Sequence, residues 1–158
     1  MNPDPIILEP MREEDLPQVM DIENASFPTP FSKSLFQMEL RLDVARLFVA
    51  RRSRVNVVGY IDYWKVGGEI HLITLAVHPD SRRRGIAKLL MQRMMDDAGQ
   101  CGTRWATLDV RVSNEAAIRL YEGFGFQKAG LRKKYYQDND EDALVMSLEM
   151  GKRNASSS

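Results

Sequence analysis

The sequence is poor in the features that most quickly assign a chain to a class. Its 158 residues include one cysteine, Cys101, so no internal disulfide can form, and a reducing compartment suits it. Cys101 lies in Gly99-Gln100-Cys101-Gly102 with no histidine beside it, a poor setting for a nucleophile. Neither sign of charge is in excess, with 22 Lys and Arg against 22 Asp and Glu. That removes the global field of a nucleic-acid binder and leaves electrostatic work to local patches. No apolar run approaches the ~20 residues that span a bilayer, and no basic-then-apolar segment opens the chain. A soluble cytoplasmic protein, with no membrane or nucleic-acid partner and no metal, is the expectation. Internal repeats are absent, as are a Gly-Lys-Ser/Thr phosphate loop and a Gly-x-Gly-x-x-Gly dinucleotide fingerprint.

What is present reads as globular. Hydrophobic residues make up 44% and charged residues 28%, enough for one well-cored domain and too few residues for two. The spacing predicts a short strand at Ile6-Ile7-Leu8 and a helix capped by Asp15, with Pro17 tolerated in its first turn. An irregular Phe27-Pro28-Thr29-Pro30-Phe31 link follows, then a helix capped by Ser32. Three strands come next, Leu47 to Arg52, Val57 to Val66 and Glu69 to Val77, with Gly67-Gly68 as a hairpin turn. A long helix ends near Gly99 or Gly102. Trp105 to Val112 alternates as a strand, with Ala106, Leu108, Val110 and Val112 on one face and Trp105, Thr107, Asp109 and Arg111 on the other. Ser113-Asn114 caps a short helix, and two further strands end at Tyr135-Tyr136 and Glu149. The order β-α-α-β-β-β-α-β-α-β-β predicts a mixed α/β sheet in one domain over 1–150, with a small polar tail at 151–158.

One stretch organises the rest. Leu72 to Val77 is an apolar strand, His78-Pro79-Asp80-Ser81 breaks it, and Arg82-Arg83-Arg84-Gly85-Ile86-Ala87 opens a helix with Leu89, Leu90, Met94 and Ala98 on one face. The first turn of a helix leaves backbone N–H groups without internal partners at the positive end of the dipole. A basic, glycine-containing turn there makes an anion site suited to a diphosphate. A plain solvated helix start is the other reading of the same residues. The next strand returns to the same end of the sheet with Asp109 and Arg111, followed by Asn114 and, on the next helix, Tyr121. An anion site, a carboxylate, an amide and a phenol thus converge in topology.

These residues carry a resemblance. Leu75-Ala76-Val77, Arg82 to Ala87, Leu108-Asp109-Val110-Arg111, Ser113-Asn114 and Leu120-Tyr121-Glu122-Gly123-Phe124-Gly125-Phe126 resemble the GNAT acetyltransferases over nearly the full chain. Ala25 to Ser32, and Lys134-Tyr135-Tyr136 with Glu141-Asp142-Ala143, are similar to the ribosomal-protein-alanine N-acetyltransferases of the RimI type. The resemblance implies the GNAT fold, a mixed, mostly antiparallel sheet of about seven strands flanked by four helices. It implies acetyl-CoA as co-substrate, held by Leu75, Ala76, Val77, Arg83, Arg84, Gly85, Ile86, Ala87, Lys88 and Asn114. The Val77 N–H would polarise the thioester carbonyl. The substrate would be the N-terminal peptide of a small-subunit ribosomal protein, beginning with alanine, and the enzyme a monomer.

The resemblance also assigns Asp109 as base, where the family has a glutamate, and Tyr121 as the acid that protonates the departing sulfur. Asp109 is one methylene shorter, and its other reading is a strand carboxylate paired with Arg111. Glu23, Phe27, Phe31, Tyr135 and Tyr136 are the candidates for the peptide side. Phe27 and Phe31 read equally as core packing. The acidic run Asp138, Asp140, Glu141 and Asp142 would attract a basic tail, or is an ordinary solvated turn. Acetylation of a lysine or small amine is the enzymatic alternative. A non-catalytic acyl-CoA-binding regulator is the alternative from another class.

Overall fold

The structure is a computed structural model and describes residues 5–53 and 55–150. The expected tail at 151–158 lies outside the described residues. Seven strands run in the order β1-β2-β3-β4-β5-β7-β6. They are β1 (Ile6–Pro10), β2 (Ala45–Arg52), β3 (Asn56–Val66), β4 (Glu69–Val77), β5 (Trp105–Arg111), β6 (Gln127–Tyr136) and β7 (Glu141–Glu149). The helices are α1 (Leu16–Ser26), α2 (Lys33–Arg41), α3 (Ile86–Gln100) and α4 (Glu115–Gly123). The mixed, mostly antiparallel sheet with four helices is the architecture that the resemblance implies. Among the described residues no helix is long and apolar enough to cross a membrane.

The chain forms two compact units. One comprises Met1–Trp64 and Ile73–Met95, the other Lys65–Leu72 and Asp96–Ser158. In the first unit β1 pairs antiparallel with β2, and β2 with β3. Antiparallel pairing with Tyr63 and Trp64 starts β2 at Ala45, two residues before the alternation alone suggests. Leu16, Val19 and Ile22 of α1 and Phe36 of α2 are fully buried with Val49 and Tyr60 in one core cluster. Ser32 caps α2, its hydroxyl accepting the Leu35 N–H at 3.1 Å. Asp15 departs from its expected part. Its side chain makes no capping bond to α1; it accepts the Arg12 N–H at 2.9 Å and Arg51 Nη2 at 2.8 Å. A buried guanidinium outcompetes the helix amides for that carboxylate, because an unpaired buried charge costs more than an open first turn.

In the second unit the Gly67-Gly68 turn forms as expected, with Gly67 at φ +60°. β4 pairs parallel with β5 from Glu69↔Trp105 to His71↔Thr107. β5 pairs antiparallel with β7, and β7 with the edge strand β6. Ala106, Leu108 and Val110 of β5 are buried while Thr107, Asp109 and Arg111 are partly exposed, as the alternation predicts; Val112, expected on the buried face, falls past the strand's end at Arg111 and is exposed. β7 begins at Glu141, which pairs with Tyr136 across the turn.

Candidate active site

The candidate anion-binding stretch lies in the first unit. After Val77, a single 3₁₀ turn (Pro79–Ser81) forms and Arg82 runs extended. Arg83 and Gly85 both take left-handed conformations, φ +63° and +79°. A side chain in that region costs ~1–2 kcal/mol, so Gly85 is the residue type the turn asks for, and Arg83 marks a strained spot of the kind found at binding loops. The first helical bond at the start of α3 is Leu89 N–H to Gly85 O, 3.1 Å. The amides of Ile86, Ala87 and Lys88 come ahead of it, first-turn donors without internal acceptors. Arg83, Arg84 and Lys88 are exposed beside them. Arg82 is employed otherwise: its Nε donates to Val77 O at 3.0 Å and its Nη2 to Ser26 Oγ at 3.2 Å. It braces the end of β4 and is not available as a free cation.

A glycine that sequence reading did not single out brings this helix in. A Cβ on Gly59 of β3 would meet Ala76 O at 3.1 Å and the Ile86 and Leu90 side chains at 3.3 Å. The bare backbone there lets the first turn of α3 lie against the strand that carries Leu75, Ala76 and Val77. No pattern in the sequence separates this glycine from an ordinary strand interruption.

The peptide-side candidates of the first unit are drawn inward. Glu23 is 2% exposed. Its Oε2 accepts the Phe31 N–H at 2.9 Å and its Oε1 the Tyr60 hydroxyl. Burial raises its pKa, and those two donors pull it back. Phe27 and Phe31 are half-buried against the core cluster, Phe31 edge-on to Phe36 at 6.1 Å between centroids.

The second unit holds the proton-handling candidates. Tyr121, on α4, is 7% exposed and packs edge-on to Phe126. Burial, and next the neighbouring Tyr136, drive its pKa up, so it stays a neutral donor. Tyr136 is pushed up to about 12, chiefly by burial; Arg111 lowers it and Asp109 raises it. Tyr121, Tyr136 and Asp109 therefore sense one another in sequence, Tyr136 between the other two. Asn114 caps α4, its Oδ1 accepting the Ala117 N–H at 3.2 Å, which leaves its amide hydrogens for another partner. Tyr135 is exposed and set edge-on to Tyr136, 5.2 Å between centroids.

One ion-pair reading is corrected. Asp109 does not pair with Arg111; its Oδ1 accepts from Arg132 Nε on β6 at 3.3 Å. Arg111 binds Asp138 at 2.9 Å and Glu141 at 3.3 Å and stacks on the Tyr136 ring at 3.9 Å. Residues two apart on a strand share a face yet sit farther apart than cross-strand partners, so the turn carboxylates win Arg111. The acidic run is compensated in place. Asp138 and Glu141 hold Arg111, Asp142 holds Lys133, and hydrogen bonds from Ser113 lead in lowering Glu141 to about 2. Three of the four carboxylates of the run are thus tied to cations of their own unit.

With this geometry in place, comparison with known proteins is informative. The acetyltransferase (GNAT) family model matches residues 16–126. The Escherichia coli (strain K12) protein named [ribosomal protein bS18]-alanine N-acetyltransferase is 32% identical over 136 residues, 85% of this chain and 90% of that one. The Mycobacterium tuberculosis protein named N-alpha-acetyltransferase RimI is 30% identical over 154 residues, 94% of this chain and 95% of its own. The crystal structure of the ribosomal-protein-S18-alanine N-acetyltransferase from Escherichia coli superimposes with a TM-score of 0.84 at 30% identity, covering 92% of this chain and 94% of that one.

Proposed function

The chain belongs to the GNAT acetyltransferase family, and on that footing we propose that it transfers acetyl from acetyl-CoA to the N-terminal alanine of a small-subunit ribosomal protein. Transfer is by direct attack in a ternary complex. The observation that carries this reading is the run of open first-turn amides at Ile86, Ala87 and Lys88 behind a left-handed Gly85. Donors so arranged, flanked by Arg83 and Arg84, fit a pyrophosphate. The backbone of Leu75, Ala76 and Val77 takes the pantetheine arm, and the Val77 N–H withdraws charge from the thioester oxygen. When bound, acetyl-CoA supplies the activated acetyl group. The family match at 16–126 includes stretches of both units, which supports reading 1–150 as one functional domain.

Proton demand favours an N-terminal amine. A protein α-amino group has a pKa of about 8 and a lysine about 10.4, so near neutrality the former needs little help. Asp109 takes the amine proton through water, its short reach bridged by the solvent that its partly exposed position admits. Tyr121 keeps its own proton until the thiolate leaves, then donates it from its hydroxyl. Asn114 offers an amide hydrogen to the cofactor arm. Glu23, Phe27, Phe31, Tyr135 and Tyr136 shape the peptide side, with Glu23 acting from beneath the loop. The reaction takes place in the cytoplasm, where ribosomal proteins are made.

Mass spectrometry of ribosomal proteins from cells with and without the gene tests the substrate. One small-subunit protein with an alanine N-terminus should carry an acetyl group, +42 Da on the order of one modification, only when the gene is present. Identical N-termini in both strains would remove the proposal.

A further inference from the structure

Three buried groups of the first unit form a line of which the reaction scheme above uses only Glu23. Tyr60, on β3, is fully buried. Its hydroxyl donates to Glu23 Oε1, and the Thr74 side chain of β4, 8% exposed, hydrogen-bonds the same phenol. Beyond Glu23 the line reaches the loop between α1 and α2, where Glu23 Oε2 accepts the Phe31 N–H at 2.9 Å. The loop's other end is also fixed on Glu23, whose backbone oxygen accepts the Phe27 N–H at 3.2 Å. Between these two anchors stand Pro28 and Pro30, which have no N–H to offer. The Phe31 end of the five-residue loop thus depends on the Glu23 side chain and the Phe27 end on its backbone, and the position of that side chain depends on Tyr60.

A carboxylate this deeply buried keeps its charge only while donors face it. Without the Tyr60 hydroxyl, Glu23 Oε1 is left in an apolar surround. Glu23 then either takes up a proton or rotates toward water, and the Phe31 anchor loosens in both cases. At the far end, Thr74 immediately precedes Leu75, Ala76 and Val77, the backbone assigned to the pantetheine arm. We propose that Tyr60 is a positioning residue: through Glu23 it holds the Phe27–Phe31 loop for the peptide, and through Thr74 it makes that loop respond to acetyl-CoA on β4. The inference rests on the acetyltransferase reading and adds a coupling to it. Acetyl-CoA binding steadies Thr74 and with it the peptide loop, so the peptide meets an ordered groove only once the acyl donor is in place.

The test combines backbone amide exchange at Phe31, followed by NMR, with steady-state kinetics on an N-terminal alanine peptide. Wild type, Tyr60→Phe, Thr74→Val and Thr74→Ser are compared with and without saturating acetyl-CoA. In the wild type, acetyl-CoA should slow exchange at Phe31 several-fold. In Tyr60→Phe that slowing should vanish, and the peptide KM should rise about tenfold, equivalent to about 1.4 kcal/mol. Its kcat should stay within about threefold and its acetyl-CoA Kd should not move. Thr74→Val should lose the slowing, and Thr74→Ser, which keeps the hydroxyl, should restore it. Acetyl-CoA uptake with unchanged exchange at Phe31 in the wild type overturns the relay. So does a Tyr60→Phe enzyme whose kcat falls while its peptide KM holds, or one that is merely less stable with both constants intact. A wild-type protein that takes up no acetyl-CoA by calorimetry overturns the acetyltransferase reading itself, and the relay with it.

Discussion

Replacing Asp62 with asparagine should make the protein more stable, and more so as pH rises. Asp62 lies on β3 with no exposed surface. Among the described residues no donor reaches either of its side-chain oxygens. Its neighbour Glu39 on α2, 7% exposed, accepts the Trp64 indole N–H at 2.7 Å. Two adjacent buried carboxylates cannot both be ionised, so the pair keeps a proton, and as a carboxylic acid Asp62 can donate to Glu39. Burial, then the bond and charge of Glu39, push Asp62 from 3.8 up to about 9. The folded state therefore binds a proton that the unfolded chain releases above its ordinary value. The associated stability is complete below pH 3.8 and is lost as pH rises through about 9. Each unit in that window removes about 1.4 kcal/mol, so the step from pH 6 to pH 8 removes at most about 3 kcal/mol.

Asparagine has nearly the same shape, donates to Glu39 through its amide and does not titrate. For a chain of this length about 1 kcal/mol moves Tm by ~2–4 °C. The Tm advantage of Asp62→Asn over wild type should consequently grow by about 5–10 °C between pH 6 and pH 8. Thermal melts of the two proteins side by side cancel all other titrating groups. A difference that stays flat across that range, or a variant less stable than wild type at pH 8, would show that Asp62 is ionised in the fold and refute the reasoning.

Three further perturbations probe other parts of the account. Tyr121→Phe removes the proposed acid and should lower kcat by on the order of 100-fold while acetyl-CoA affinity stays within twofold, read by initial rates and calorimetry. Gly85→Ala places a side chain at φ +79° in otherwise open space, so the penalty of about 1 kcal/mol is conformational and should weaken acetyl-CoA binding about fivefold in a titration. Arg51→Met leaves Asp15, 3% exposed, without its buried partner; urea unfolding should register a loss of ~3–5 kcal/mol, much of it recovered by adding Asp15→Asn.

Local features of the fold were legible in the sequence because they follow from local chemistry. Ser32 and Asn114 cap their helices, Gly67-Gly68 turns the hairpin, and the alternation over β5 predicts which residues are buried. The glycine turn that opens α3 was legible for the same reason: a strand, a basic glycine turn and a helix start are contiguous. Features set by strand register were not. Arg132 reaches Asp109 from a strand two positions away in the sheet, a partner no sequence spacing reveals. Glu23 reads as a candidate for the incoming peptide near the end of α1, and no spacing reveals the tyrosine 37 residues on and the Phe31 amide that hold it inside. Asp62 interrupts an apolar strand without any flanking signal. Only the folded chain brings it beside another acid, Glu39, 23 residues earlier in the sequence.

The central claim is that open amides at the start of α3 seat acetyl-CoA so that its acetyl group passes to a free peptide N-terminus. Its most direct test is incubation of the purified protein with acetyl-CoA and a peptide carrying an N-terminal alanine and an internal lysine, beside a twin blocked at its N-terminus. Tandem mass spectrometry should place a single acetyl group on the α-amine of the first peptide and none on the second. Acetyl on the lysine of either peptide, or none on the free N-terminus, would contradict the account.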